Sequence, residues 1–134
     1  MSGAYLDASA LVKLFKPEVE SPVLAAALRD HEVWISSEIV AVEAACTARR
    51  AGDEEMVRLA EAVVASVTLV PFTAAISDRA ARAYSRRLRA LDAVHAATAL
   101  AVADECEAIF AYDDDLSLAL RAESAVVLSP GAPV

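Results

Sequence analysis

The chain has 134 residues, which suits a single domain, and 57% of them are hydrophobic, enough to form a substantial core. No stretch approaches the roughly 18 uninterrupted apolar residues of a membrane span, and Asp7 interrupts the N-terminal apolar run, which argues against a signal peptide. The formal net charge of −8 argues against a protein that binds nucleic acid over its whole surface, but it leaves room for a local basic contact. We therefore expect one cytoplasmic domain over residues 1–134, with 129–134 as a loose tail.

Short apolar runs alternate along the chain with segments of helical spacing. The apolar runs predict strands at 3–6, 33–35, 68–70, 108–112 and 125–128. The helical segments, several of them marked by capping residues or proline, are predicted at 10–16, 22–29, 36–50, 53–66, 74–88, 92–106 and 116–121. Strands separated by helices favour a parallel sheet, so we expect an α/β fold, a three-layer α/β/α sandwich with a central, mostly parallel sheet.

The two cysteines, Cys46 and Cys106, both lie in alanine-rich segments that are predicted to be helical. Neither has the paired spacing of a zinc site, and a cytosolic chain seldom holds a disulfide. We expect two buried free thiols.

Two predicted strands end on an acid, Asp7 after the first strand and Asp113 after the fourth. Ligands of open parallel sheets bind beyond the carboxyl ends of the strands, so these acids would lie close together if their strands are neighbours. The purely structural alternative for Asp7 is that it caps the helix that follows.

Glu43 and Asp92 are two further acids in unusual settings. Glu43 lies among apolar residues of a predicted helix, where an ionised carboxylate is costly unless it is paired or bound to a metal. The alternative is that it shares an exposed stripe with Arg50. Asp92 begins an alanine-rich helix, a position that the helix dipole alone would explain. His95, one turn later, is more typical of a satisfied helix residue than of a catalyst.

The acids favour a hard divalent cation. Asp113, Asp114 and Asp115 are adjacent and repel one another, which a bound cation would relieve, although at least one of them should cap a helix. Carboxylates without a cluster of His or Cys favour Mg²⁺ or Mn²⁺ over zinc.

One basic stripe interrupts the acidic composition. Its members recur at helical spacing: Arg79, Arg82, Arg86 and Arg89. The stripe is either a solvated face or a ridge that contacts phosphates and leads to Asp92. Lys13, on the helix after Asp7, would supply the opposite bank. Such contacts give affinity without sequence choice.

Four features stand in order along the chain: YLDASALVK at 5–13, Glu43, LDAVHAATA at 91–99 and YDDDL at 112–116. Together they resemble the PIN-domain ribonucleases, and within these the VapC-type toxins of toxin–antitoxin pairs. The resemblance implies an α/β/α sandwich and a Mg²⁺- or Mn²⁺-dependent endoribonuclease that hydrolyses RNA, leaving a 5′-phosphate and a 3′-hydroxyl. It also implies a VapB-like antitoxin as partner and a homodimer.

The resemblance also implies roles for individual residues. By position, the catalytic quartet would be Asp7, Glu43, Asp92 and Asp113. Three of these, Asp7, Asp92 and Asp113, would mainly hold metal, and Glu43 would bind metal or orient the attacking water. Ser9 would support the first acid, and Asp115 would assist the last one. The family commonly has Ser or Thr at the position of Ala111, so no hydroxyl is expected to assist there.

Two other function classes remain open from the sequence. A receiver-like signalling domain also gathers acids at strand ends around Mg²⁺, but it would need an acid pair after the first strand and a lysine late in the chain, and neither is found. A catalytically inert PIN-like module that binds RNA or a partner would not need all four acids.

Overall fold

The computed structural model describes residues 2–84 and 87–133. Within these ranges the strands form one parallel sheet in the order β3-β2-β1-β4-β5. The strands are β1 (Gly3–Leu6), β2 (Val33–Ser37), β3 (Thr68–Val70), β4 (Cys106–Phe110) and β5 (Val127–Leu128). The helices are α1 (Ala8–Val12), α2 (Ser21–Leu28), α3 (Ile39–Ala51), α4 (Glu54–Ala65), α5 (Ala74–Arg82), α6 (Ala90–Ala101) and α7 (Asp114–Ala122).

Helices cover both faces of the sheet. Because successive side chains of a strand point to opposite faces, Ala4 and Leu6 join one buried cluster with α1 to α4, whereas Tyr5 joins a second cluster with α6 and α7. The β1 strand lies in the middle of the sheet, and all four of its residues are buried. The predicted three-layer α/β/α sandwich is confirmed.

The second strand runs further than predicted, because two serines belong to it rather than to the next helix. Ser36 is buried and donates its Oγ–H to the carbonyl oxygen of Leu6 at 2.6 Å. The Oγ of Ser37 accepts from the backbone N–H of Ile39 at 3.2 Å. Because each serine hydroxyl has a backbone hydrogen-bond partner, both serines can lie at the buried end of a strand. The helix α3 therefore begins only at Ile39.

Two predicted helices are shorter in the structure. The first, α5, ends at Arg82 instead of residue 88, and Ser85 and Arg86 lie outside the described residues. The second, α6, ends at Ala101 instead of Cys106, which makes the predicted helical setting of Cys106 wrong. That residue begins β4 and pairs with Gly3, because a 3-10 turn at Ala103–Glu105 redirects the chain into the sheet. Alanine-rich composition favours helix on both sides of such a turn and does not reveal it.

Both thiols are free and only half-buried. No helix among the described residues is long and apolar enough to cross a membrane.

The segment 129–133, expected to be a loose tail, is attached to the sheet edge. Ser129 Oγ donates to the carbonyl oxygen of Ala111 at 2.5 Å, and the Tyr112 hydroxyl donates to that of Pro130 at 2.7 Å.

Gly3 allows the close approach of β1 to the turn before β4. A Cβ at this position would collide with the backbone carbonyl oxygen of Glu105, which cannot move without breaking the strand pairing. We expect Gly3→Ala to lower the free energy of unfolding by about 1–3 kcal/mol, as overpacking does. Urea denaturation measures it.

Gly52→Ala provides the comparison. Gly52 has a φ of +103° and nothing within 4 Å of an added Cβ, so only the left-handed backbone should cost about 1 kcal/mol. Equal losses in the two variants would contradict the steric explanation.

Candidate active site

The topology brings two of the predicted acids to one edge of the sheet. Asp7 directly follows β1, Asp113 follows β4, and these strands are parallel neighbours with Leu6 opposite Phe110. The backbone N–H of Asp7 extends the pairing by donating to the carbonyl oxygen of Phe110 at 3.2 Å. Both acids therefore lie beyond the carboxyl ends of the central strands, where ligands of such sheets bind.

Asp7 is buried, with 2% of its surface exposed. Its Oδ1 accepts from the Ser9 hydroxyl at 2.7 Å and from the backbone N–H of Ala10 at 3.0 Å. Asp7 therefore does cap α1, as the structural alternative had it. The two interpretations are compatible, because the cap and Ser9 use one carboxylate oxygen, Oδ1.

Ser9 joins the two strand ends. While it donates to Asp7, its Oγ accepts from the backbone N–H of Tyr112 at 2.8 Å, the residue just before Asp113. Asp113 in turn caps α7, its Oδ1 accepting from the backbone N–H of Leu116 at 2.8 Å. The Ser9 hydroxyl thus fixes the spacing between the two loops that carry the acids.

Two helices contribute the remaining acids. Glu43 projects from α3 with 18% of its side chain exposed, and Asp92 occupies the first turn of α6, half-buried. A cleft of about 640 Å³ is lined by residues from α3, α6, α7 and the loops before them: Glu43, Arg87, Arg89, Ala90, Leu91, Asp92, Asp113 and Asp115. Asp7 lies buried next to this cleft and is electrostatically coupled to Asp92.

Burial and mutual repulsion act on these acids. Burial raises the pKa of Asp7 to about 6, and the Asp92 carboxylate adds to this rise, whereas His95, Ser9 and the Ala10 amide oppose it. The pKa of Asp92 is also raised, first by burial and then by the charges of Asp113 and Glu43. The four predicted acids therefore form one electrostatically coupled group.

The donor set suits a hard cation. Among the described residues, no three His, Cys, Asp or Glu side chains stand close enough to form a ready-made metal cage. Mg²⁺ does not need one, since it keeps several waters and is held by one or two carboxylates. Carboxylate oxygens that repel one another across a cleft are the ligands that Mg²⁺ and Mn²⁺ prefer, so the residues fit such an ion.

The basic residues of the predicted contact surface lie in different places. Arg89 precedes α6 and lines the acidic cleft, as does its neighbour Arg87. Arg79 forms an ion pair with Glu123 at 2.6 Å, and Arg82 forms one with Asp78 at 2.6 Å. Arg86 lies outside the described residues.

Lys13 directly follows α1 and has 11% of its side chain exposed. Its Nζ contacts Glu18 at 3.3 Å and Glu20 at 3.1 Å, and it lies 4.6 Å from the centre of the Tyr112 ring.

His95 is a site residue whose connections sequence reasoning missed. It is buried, and its Nε2 lies 2.7 Å from Glu43 Oε1 while its Nδ1 lies 2.8 Å from the Tyr5 hydroxyl. The available signal was its position in an alanine-rich helix that is expected to be buried, since a buried imidazole requires partners for both nitrogens. Which partners it finds depends on the sheet order, which the sequence does not state.

The raised pKa of Asp7 predicts an unusual dependence of stability on pH. In the metal-free protein the folded state should bind this proton more tightly than the unfolded chain, whose value is near 3.8. The ionised carboxylate therefore destabilises the fold at about pH 7, and the penalty should disappear as pH falls through 6 towards 3.8.

We expect metal-free Asp7→Asn to be more stable than the wild type at about pH 7, by up to about 3 kcal/mol, because Asn keeps the Oδ1 acceptor without the charge. The difference should shrink at about pH 5. Urea unfolding in EDTA at both pH values measures it, and an Asn variant that is less stable at neutral pH would contradict it.

Comparison with known proteins agrees with this fold. The profile of the PIN domain family matches residues 4–120. Ribonuclease VapC35 of Mycobacterium tuberculosis is 38% identical over 131 residues, which are 95% of this chain and 96% of that protein. Ribonuclease VapC46 of the same organism is 30% identical over 130 residues, which are 97% and 99% of the two chains.

A solved structure shares the fold at lower identity. The crystal structure of Mycobacterium tuberculosis VapC20, described as a sarcin-ricin loop cleaving toxin, has a TM-score of 0.69 and 20% identity, covering 87% of this chain and 94% of that one. These matches make the receiver-like alternative wrong. The chain belongs to the PIN-domain family, among the VapC ribonucleases.

Proposed function

We propose that this protein is a Mg²⁺-dependent endoribonuclease that hydrolyses RNA phosphodiesters and acts as the toxin of a toxin–antitoxin pair. The observation that carries the proposal is the convergence of Glu43, Asp92 and Asp113 on one cleft beside the buried Asp7, in a chain that aligns with VapC ribonucleases over nearly its whole length. Mn²⁺ would serve in place of Mg²⁺, because it prefers the same oxygen ligands.

Asp7, Asp92 and Asp113 would hold the cation, one or two of them directly and the rest through waters that the cation keeps. When bound, it would supply positive charge that stabilises the phosphate oxygens during displacement and favours deprotonation of the attacking water. Asp7 keeps its geometry through Ser9 and Ala10, and Asp113 keeps its geometry through the cap on α7. The acids are thus held in place before substrate arrives, which lowers the cost of organising the site during reaction.

Glu43 would bind metal or orient the attacking water, since it is the acid that projects into the cleft from α3. Asp115 lines the same cleft beside Arg87, 3.8 Å from that side chain, and would assist Asp113 from further out. Among the predicted RNA contacts that the structure describes, Arg89 lines the cleft, so we propose that the scissile phosphate would lie against it.

The partners proposed are the RNA substrate, a VapB-like antitoxin and a second copy of the chain, all meeting in the cytoplasm. Exposed Val42 and Leu91 border Glu43 on one side of the cleft, and an antitoxin segment could cover them while it occupies the acids. Apolar side chains exposed beside a charged cleft are typical of interaction sites.

Removing one metal-holding charge should abolish cleavage while the fold persists. We expect Asp7→Asn and Asp92→Asn each to lower the rate of RNA hydrolysis by at least about 100-fold, because an uncharged amide holds Mg²⁺ far less well. EDTA should abolish wild-type cleavage, and excess Mg²⁺ should restore it. The cleavage products formed from total RNA measure the loss of activity, and circular dichroism of each variant measures whether the fold persists.

Asp104→Asn is the matched control, since Asp104 is exposed in the turn between α6 and β4. Undiminished cleavage by purified Asp92→Asn would show that catalysis does not need the Asp92 charge, and wild-type cleavage that persists in EDTA would show a metal-independent activity. A purified wild type that cleaves no RNA with Mg²⁺ would favour the inert-module alternative.

The arginines can be separated by the salt dependence of RNA binding. In the inactive Asp7→Asn background, we expect Arg89→Gln to weaken binding and to reduce the slope of log affinity against log salt by about 0.7–0.9, the value of one phosphate contact. Arg82→Gln should change the slope little, because Arg82 already pairs with Asp78. Fluorescence anisotropy of a labelled RNA measures both slopes. Equal slopes for the two variants would contradict the assignment of the phosphate contact to Arg89 rather than to Arg82.

A further inference from the structure

We propose that Tyr5 and His95 form a buried hydrogen-bond chain that positions the carboxylate of Glu43 for catalysis, an inference that rests on the proposed nuclease function. This hydrogen-bond chain starts at a side chain of the central strand β1, passes through a side chain of α6 and ends at a side chain of α3. It makes His95 a positioning residue: the imidazole acts through Glu43 and does not itself line the cleft.

The geometry of this chain is tight. His95 is 1% exposed and Tyr5 is 0% exposed. The Tyr5 hydroxyl lies 2.8 Å from His95 Nδ1, and His95 Nε2 lies 2.7 Å from Glu43 Oε1. The two rings also meet edge to face, with centroids 6.0 Å apart and planes at 74°.

The hydrogens of the chain can be assigned from chemistry. An ionised carboxylate only accepts, so whenever Glu43 is charged its partner Nε2 must carry a hydrogen. The Tyr5 side chain has one hydrogen to donate, on the hydroxyl that lies 2.8 Å from His95 Nδ1. Tyr5 then donates to Nδ1, which fixes the tautomer of the neutral imidazole with its hydrogen on Nε2.

The position of Glu43 explains why it needs such a partner. Its carboxylate faces the like charge of Asp92, which would push a flexible glutamate out of the cleft. The bond from Nε2 to Oε1 opposes this displacement and leaves the second oxygen to face a cation or a water. Because His95 follows Asp92 by one helical turn, the same helix sets the distance between the two acids.

A merely structural histidine would satisfy the same two distances, so the test must separate positioning from stability. His95→Leu removes the donor, and His95→Gln keeps an amide donor of similar reach. Tyr5→Phe removes only the hydroxyl that fixes the tautomer. Val94→Ala is the matched control, because it leaves a cavity at the neighbouring position of α6 and removes none of the groups in the hydrogen-bond chain.

We expect His95→Leu to lower kcat per folded molecule by about 10- to 100-fold, the usual effect of removing a group that orients a site ligand, with KM for RNA nearly unchanged. His95→Gln should recover most of that loss, and Tyr5→Phe should show a smaller loss in the same direction. Val94→Ala should lower Tm without lowering kcat per folded molecule. In the Glu43→Gln background, His95→Leu should lower kcat no further, since the effect of His95 on catalysis passes through Glu43.

Three measurements decide the matter: steady-state cleavage of a defined RNA, Tm, and the ¹⁵N spectrum of histidine in the metal-free wild type, which reports the hydrogen on Nε2. The positioning role is overturned, and the proposed function kept, if the wild type cleaves RNA and both His95→Leu and Tyr5→Phe keep full kcat. The same conclusion follows if the ¹⁵N spectrum shows Nε2 without hydrogen. If His95→Leu does not fold, Tyr5→Phe decides. If the wild type cleaves no RNA under any divalent cation, the proposed function falls first.

Discussion

The burial of one carboxylate, that of Asp7, is the constraint on which the rest of the site depends. A charged oxygen pair at the end of the central strand would be too costly alone. The fold meets this cost with donors that the local sequence supplies, the Ser9 hydroxyl and the backbone N–H of Ala10 in the first turn of α1. The remaining penalty is visible as a raised pKa, and it favours binding of either a proton or a cation.

The sheet order turns this local arrangement into a site. Since β1 pairs with β4, Asp113 is delivered beside Asp7, and Ser9 links the two loops through the backbone of Tyr112. The helices α3 and α6 then bring in Glu43 and Asp92 from elements that are distant in the sequence. The three aspartates also have an ordinary local reason to be where they are, a cap or a helix start, so a structural role coincides with the proposed functional one.

The layers and the strand positions could be predicted well from the sequence, because alternation and capping are local signals. The roles of the four acids stay a prediction, although the structure brings the acids near one cleft. Prediction from the sequence failed where a residue's setting depends on distant partners. Cys106 was assigned to a helix, although its pairing with Gly3 makes it a strand residue. His95 was treated as a helix residue of no special role, although its two partners lie 90 and 52 positions away. The arginine stripe was one periodic pattern in sequence, yet Arg82 and Arg89 meet different surroundings.

The central place of the first strand also bears on how the protein is made. During synthesis β1 and β2 emerge early and can pair, but the other edge of β1 must wait for residues 106–110, about a hundred positions later. Contacts of such long sequence separation form late and slowly. Asp113 reaches Asp7 only after that pairing, so an incomplete nascent chain has no assembled acidic cleft. The cleft is therefore complete only once nearly the whole domain has been translated.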